Sequence, residues 1–401
     1  MAKKTAKKTT AASTKVPPKA EKPKKGQTTP LKDFFEESGI RFDLSVSKIL
    51  KAIEQKLGKD RYKQWYDVSI ARQMGKTPSA NEYCVFQNAD EVNTLFSLQA
   101  PVSLSVCTWL ADQVTCHGKG EVTVGDLGCG AGVLAGWLAK QHPSHRVHGF
   151  DALPNLVLAA AESQKRKNLA FHTWDYEAGP SPIGKKCEVL VSCFGIDFPP
   201  CSGAIHPKSV ETLRAGEFYE SQKAYLQTFF RNWRSGAVEG GTLYCALRIP
   251  FDSMFLAFVD GGIEEGWDFD IDRSTSLFVG AESFPAMVFH ARSPRPVAED
   301  QVLAKWCYSQ LKEMSKQPLY GTAALTLYRT LQNKVLVKQE TIEADGVRWY
   351  EAVVGHAGTT AFQFTHGTTG YAFLRFFPLT DLGTLDVSSP EELWFDSPFD
   401  L

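Results

Sequence analysis

Several things are missing from this chain, and each absence narrows the reading. No apolar run reaches the ~18 residues a helix needs to cross a bilayer, and residues 1–30 contain no hydrophobic segment of the signal-peptide kind. All nine basic residues of that stretch are lysine, which does not fit an arginine-rich mitochondrial presequence. An intracellular, cytoplasmic protein without a membrane span is expected. The nine cysteines include no C-x-x-C pair, and their odd number and irregular spacing argue against a disulfide framework and a structural zinc site. No internal repeat is evident.

What is present is a soluble-type composition, 43% hydrophobic and 22% charged, over 401 residues. That length exceeds one ordinary core and points to two or more domains. The net charge of -1 conceals an asymmetry. Residues 1–30 carry nine lysines against the single acid Glu21, so the remainder is acidic. The tail is rich in Lys, Thr, Ala and Pro and has little to bury, which predicts disorder. It reads either as an arm for nucleic acid or another polyanion, or as a solubilising tail.

From residue 31 to 116 the pattern is helical. Phe42, Val46, Ile49, Leu50, Ile53 and Leu57 form one apolar face, and a further stretch from Val92 to Val114 is broken near Pro101. Trp65 and Tyr66 are either lid or core residues. Residues 117–294 alternate β-like and α-like segments, the signature of a parallel sheet with helices on both faces. Strands are expected at 122–127, 146–151, 169–174, 188–193, 241–249, 276–279 and 286–290. Helices are expected at 133–141, 153–166 and 217–233. The last two strands should form an antiparallel hairpin at the sheet edge. Residues 295–334 read as a helical linker and 335–401 as a small antiparallel β extension, with Asp345-Gly346 as a hairpin turn. The fold class is thus α/β, a doubly wound seven-stranded sheet with a helical N-terminal cap and a β-rich C-terminal extension.

The most informative string is Asp126-Leu127-Gly128-Cys129-Gly130-Ala131-Gly132, which follows an expected strand and opens an expected helix. Glycines here permit positive φ and let a ligand approach bare backbone, while the helix start presents free N–H groups. A second acid, Asp151, ends the next strand nineteen residues beyond Gly132. A carboxylate there can accept two ribose hydroxyls. Trp174-Asp175 ends the third strand. A nicotinamide-dinucleotide fingerprint, G-x-G-x-x-G, is the alternative, but the third glycine falls one residue early for it.

This string resembles the first motif, D-x-G-x-G-x-G, of the class I S-adenosylmethionine-dependent methyltransferases, and the resemblance covers residues 122–293. It implies a Rossmann-like fold and S-adenosyl-L-methionine as cofactor. Gly128, Gly130 and Gly132 would lie against the methionine part, with Leu127 and Cys129 completing the turn. Asp126 would hold the methionine amino group and Asp151 the ribose. Asp175, with Trp174 beside it, would meet the adenine, and Ala152 and Ser192 would border the same pocket.

Methyl transfer from a sulfonium is an in-line displacement in which the protein chiefly positions the nucleophile. The acceptor should sit past the fourth and fifth strands. There Asp197 can orient or deprotonate a substrate, and His206 can line the opening. Pro200-Cys201-Ser202-Gly203 is similar to the P-C-S-G stretch of RNA 5-methylcytosine methyltransferases, which gives Cys201 a candidate covalent role. The first motif and the position of Cys245 depart from that family.

Methyl transfer to an N, O or C nucleophile of a small molecule or protein is therefore the primary expectation. RNA or DNA methylation aided by the basic tail, and a catalytically silent binding module, are the alternatives. The acceptor itself is not named by the sequence.

Overall fold

The computed structural model describes residues 30–73, 80–118, 120–196, 217–248, 252–279, 282–297, 319–320, 324–325, 328–329, 331, 334–344, 348–357, 360–367 and 372–378. The lysine-rich stretch up to residue 29 and the catalytic candidates Asp197, Cys201 and His206 lie outside these residues.

The main sheet is built from β1 (Thr123–Leu127), β2 (Arg146–Asp151), β3 (Leu169–Thr173), β4 (Cys187–Cys193), β5 (Ala237–Ala246), β6 (Asp268–Phe269), β7 (Thr275–Val279) and β8 (Glu282–His290). Its order is β3-β2-β1-β4-β5-β8-β6, with β7 paired to β8. β1 to β5 run parallel, and β8 runs antiparallel to β5, β6 and β7. The β7–β8 hairpin is as expected, but β8 does not lie at the edge. It hydrogen-bonds β5, and the two-residue β6, too short to leave a periodic signal, lies on its far side.

Burial on both faces explains why the middle of β4, Val189-Leu190-Val191, reads as an apolar run without alternation. Val189 and Val191 of β4 enter the core on one face, with Val124, while Leu190 enters the core on the other. The first face is covered by α1 (Pro30–Glu37), α5 (Ala100–Thr115) and α6 (Val133–Gln141), which supply Phe34, Phe35, Leu110 and Trp137. The second is covered by α8 (Glu217–Gly236) and α9 (Asp252–Glu264), with Phe230, Trp233 and Phe258. α7 (Pro154–Ser163) follows β2, and Pro154 in its first turn fits a helix start. α9 was not anticipated. Between β3 and β4 the chain makes only turns, and Trp174 and Tyr176 occupy that space against Phe229 and Trp233 of α8.

Ahead of the sheet, α2 (Val46–Gln73) is interrupted at Gly58, and α3 (Ala80–Tyr83) and α4 (Ala89–Phe96) follow. Ile49, Ile53, Trp65, Val92 and Leu95 form a core that reaches Ala131 and Leu156, so Trp65 is a core residue while Tyr66 is 46% exposed. Arg61 grips Glu91 with two hydrogen bonds of 3.1 and 2.6 Å, tying α2 to α4. The break expected near Pro101 falls at Ser97–Gln99, a single 3₁₀ turn, and Pro101 sits in the first turn of α5. Ala89–Thr115 as a whole is long and apolar enough to cross a membrane by composition, and its residues Val92, Val106 and Leu110 are buried inside the protein.

The C-terminal strands are β9 (Leu319–Tyr320), β10 (Lys334–Ala344), β11 (Arg348–Ala357), β12 (Thr360–Gly367) and β13 (Ala372–Pro378). They form an antiparallel sheet of order β10-β11-β12-β13-β9. β9 falls inside the stretch expected to be a helical linker, where its pairing to β13 overrides the local pattern. The Asp345-Gly346 turn lies outside the described residues, but Ala344 pairs with Arg348 on either side of it. Val353, Phe362, Phe364 and Leu374 join the core beneath α8 and α9.

Candidate active site

The strand order reverses between β1 and its two neighbours, β2 and β4, and open α/β sheets bind ligands at such a crevice. The loop leaving β1 at that point is Gly128–Gly132. Its three glycines have φ of 73°, 53° and 75°, conformations that side chains rarely adopt. Space is equally restrictive. A Cβ on Gly128 would stand 2.4 Å from the Gly195 Cα, and one on Gly130 would stand 3.0 Å from the Phe96 ring.

Hydrogen bonds fasten this loop to the end of β2. The Gly128 and Cys129 N–H groups both donate to the Phe150 carbonyl at 2.8 Å. The Gly130 N–H donates to Asp151 Oδ2 and the Leu153 N–H to Asp151 Oδ1, each at 3.0 Å. The Tyr176 hydroxyl accepts from the Gly128 N–H at 2.6 Å and donates to the Phe150 carbonyl at 3.2 Å.

Asp126 and Asp151 flank the loop, and both are buried. Burial pushes the Asp126 carboxyl up to about 7; a hydrogen bond from the Ala135 backbone opposes this, and the charge of Asp151 adds to it. Asp126 Oδ2 is buried and has no hydrogen-bond partner. Burial also raises the Asp151 carboxyl, against the two backbone bonds it accepts. Cys129 is buried in the loop, and its thiol is pushed well up by burial.

On the other side, Ser192 Oγ donates to the Leu127 carbonyl at 3.1 Å and accepts from the Gly195 N–H at 3.2 Å. Between them Phe194 adopts φ 57°, the one non-glycine residue with positive φ among those described. Its ring lies 4.7 Å from the Arg248 guanidinium, which donates to Gln99 Oε1 at 2.6 Å.

The sequence of residues 124–206 matches the family model for the methyltransferase domain. That segment is the part of the chain that carries a methyltransferase domain. No curated protein matches the full chain. Among solved structures it is similar to a TehB-like SAM-dependent methyltransferase from Corynebacterium glutamicum, at 16% identity over 45% of this chain and 85% of the other, with a TM-score of 0.31. A methyltransferase from Pyrococcus furiosus is 13% identical over 48% of this chain and 83% of the other, with a TM-score of 0.31. TrmN from Thermus thermophilus is 14% identical over 45% of this chain, which spans only 48% of that protein, with a TM-score of 0.32.

The methyltransferase domain gathers Asp126, Leu127, Gly128, Cys129, Gly130, Gly132, Asp151 and Ser192 around the glycine loop. Ala152 follows β2 in an exposed position. Trp174 is turned into the core, its ring 5.1 Å from those of Phe150 and Tyr176 and its Nε1 donating to the Gly179 carbonyl. Asp175 is exposed and accepts the Glu177 N–H at 2.9 Å, in a local turn.

The sequence reading did not anticipate Phe96, Tyr176, Gly195 or Arg248. Two had a faint signal: Tyr176 adjoins the Trp174-Asp175 pair, and Gly195 sits in the run Ser192-Cys193-Phe194-Gly195 after an apolar strand. Phe96 and Arg248 come from distant segments and depend on the tertiary fold.

The donor set fits S-adenosyl-L-methionine, the methyl donor that the resemblance of the glycine motif implies. A buried carboxylate oxygen without a partner suits an ammonium group. Asp151 accepts one bond on each oxygen, and an ionised carboxylate has about four acceptor positions, which leaves capacity for a pair of hydroxyls.

Proposed function

We propose that the chain binds S-adenosyl-L-methionine at the glycine loop and transfers its methyl group to an N, O or C nucleophile of a small molecule or protein. The observation that carries this reading is the pair Asp126 and Asp151 on either side of Gly128–Gly132, with Asp126 Oδ2 buried and unpartnered. In this reading Asp126 holds the methionine ammonium, Asp151 the ribose hydroxyls and Asp175 the adenine amino group. Gly128, Gly130 and Gly132 lie against the methionine part. When bound, the cofactor supplies an electrophilic methyl group.

The protein's own contribution is then position and dryness. The acceptor side lies past β4 and β5, where Phe194 and Arg248 meet. A guanidinium against an aromatic ring at that opening favours an acceptor with an anionic or planar polar group. The acidic balance of the chain beyond residue 30 weighs against a broad nucleic-acid face.

The test is calorimetric titration of S-adenosylmethionine and S-adenosylhomocysteine into the full chain, with Asp151→Asn alongside. Binding of both compounds, lost or weakened at least tenfold in the variant, is expected. No binding to protein that circular dichroism shows to be folded overturns the reading.

A further inference from the structure

Among the described residues β10 is an edge strand of the C-terminal sheet, paired on one side to β11. Near its start it carries three consecutive exposed apolar residues: Val335 is 50% exposed, Leu336 46% and Val337 57%. Proteins usually blunt a long edge with charge, proline or brevity, because its open N–H and C=O groups invite a further strand. β10 runs eleven residues without proline. It carries a bulge, since Leu336 pairs with Gly355 and Lys338 with Val354, leaving Val337 as the extra residue. Bulges can turn an edge away from partners, but this one sits near one end. From Lys338 to Ala344 the register is unbroken.

The strand reads Lys-Val-Leu-Val-Lys-Gln-Glu-Thr-Ile-Glu-Ala, with lysine at its start and glutamate towards its end. Such a strand is complementary to itself run backwards. Lys338 and Glu340 share a face of the sheet, their side chains 3.0 Å apart. Antiparallel pairing about a two-fold axis at Gln339 sets Lys338 opposite Glu340 of the second copy, and the reverse. In this register the bulge at Val337 lies two residues from the axis on each copy, so the regular paired centre is Lys338–Glu340. Opposite charges directly across an antiparallel pair favour pairing, and a two-fold contact uses the same patch on both copies.

We propose that β10 is a homodimer interface, through which two copies of this chain join their C-terminal sheets edge to edge. The glycine loop and the elements around it take no part in this contact.

Sedimentation equilibrium of the full chain tests it. A mass about twice that of the 44.4 kDa chain is expected. Val337→Lys, which sets a charge on the exposed apolar patch, should give a monomer. Lys338→Glu alone and Glu340→Lys with Glu343→Lys should each be monomeric, because each makes the strand repel itself. Mixing those two variants should restore the dimer, which shows that both remain folded. A wild-type monomer at all concentrations, a dimer that survives Val337→Lys, or a mixture that stays monomeric overturns the proposal. S-adenosylmethionine titration of the same samples is expected to be unchanged.

Discussion

The Tyr176 hydroxyl lies 2.6 Å from the backbone nitrogen of Gly128, so a side chain from the turn after β3 holds the first glycine of the Gly128–Gly132 loop. The same hydroxyl reaches the Phe150 carbonyl at the end of β2. Removing it while keeping the ring isolates this link. Tyr176→Phe should cost about 1–2 kcal/mol in urea unfolding, the range for a buried hydrogen bond whose partner loses its mate. It should also weaken S-adenosylmethionine binding, because the loop loses one of its fixed points. An unchanged midpoint and unchanged affinity would show that the Phe150 carbonyl alone suffices.

Under the proposed function, Asp126 makes cofactor binding depend on pH. Its carboxyl is pushed up to about 7 by burial, so near neutrality it is only partly ionised. An ammonium group requires the ionised form. Affinity should rise as pH increases from about 6 to about 8 and then level off, as linkage demands. The folding sign is opposite. Between about 4 and about 7 the folded chain holds a proton that the unfolded chain has released, so this group's contribution to stability falls as pH rises through that window. Asp126→Asn should flatten both profiles, as calorimetry and urea midpoints across pH can check.

Gly195 should tolerate no side chain. A Cβ there would lie 2.2 Å from the Leu127 carbonyl oxygen and 2.7 Å from Ser192 Oγ, so the chain after β4 must move away from β1. Gly195→Ala is expected to destabilise by about 1–3 kcal/mol, the usual cost of overpacking, and to reduce cofactor binding. Gly179, whose Cβ would meet nothing within 4 Å, is the control: Gly179→Ala should leave both quantities unchanged.

How far the fold was legible follows from what each element needs. β4 holds the apolar run Val189-Leu190-Val191, β1 and β2 each end in an acid or glycine-rich turn, and the helices after β1 and β2 keep their periodicity, so their places were readable to within three residues at each end. β6 was not, because two residues carry no period and exist only by pairing with β8. β9 was hidden in the same way, by its dependence on β13. β5 begins at Ala237, four residues before its apolar stretch, because Ala237 pairs with Cys187 across a register shift. In the site, the glycines and the two acids are contiguous with strand ends and could be read directly. Trp174 was readable as a strand-end aromatic but not as a core residue, since its packing partners Phe150 and Tyr176 are set by the irregular crossing from β3 to β4.

Phe96 closes α4, and its ring fills the direction in which Gly130 would carry a side chain. The helices ahead of the sheet therefore form one wall of the glycine loop, the ligand site under the proposed function. Ligand occupancy and closure of those helices then share a single coupling free energy, and reciprocity requires each to strengthen the other. Saturating the loop should slow amide hydrogen exchange in α4, more than thirty residues upstream of the glycine motif, and loosening α2 from α4 by breaking the Arg61–Glu91 pair should be felt as a weaker ligand.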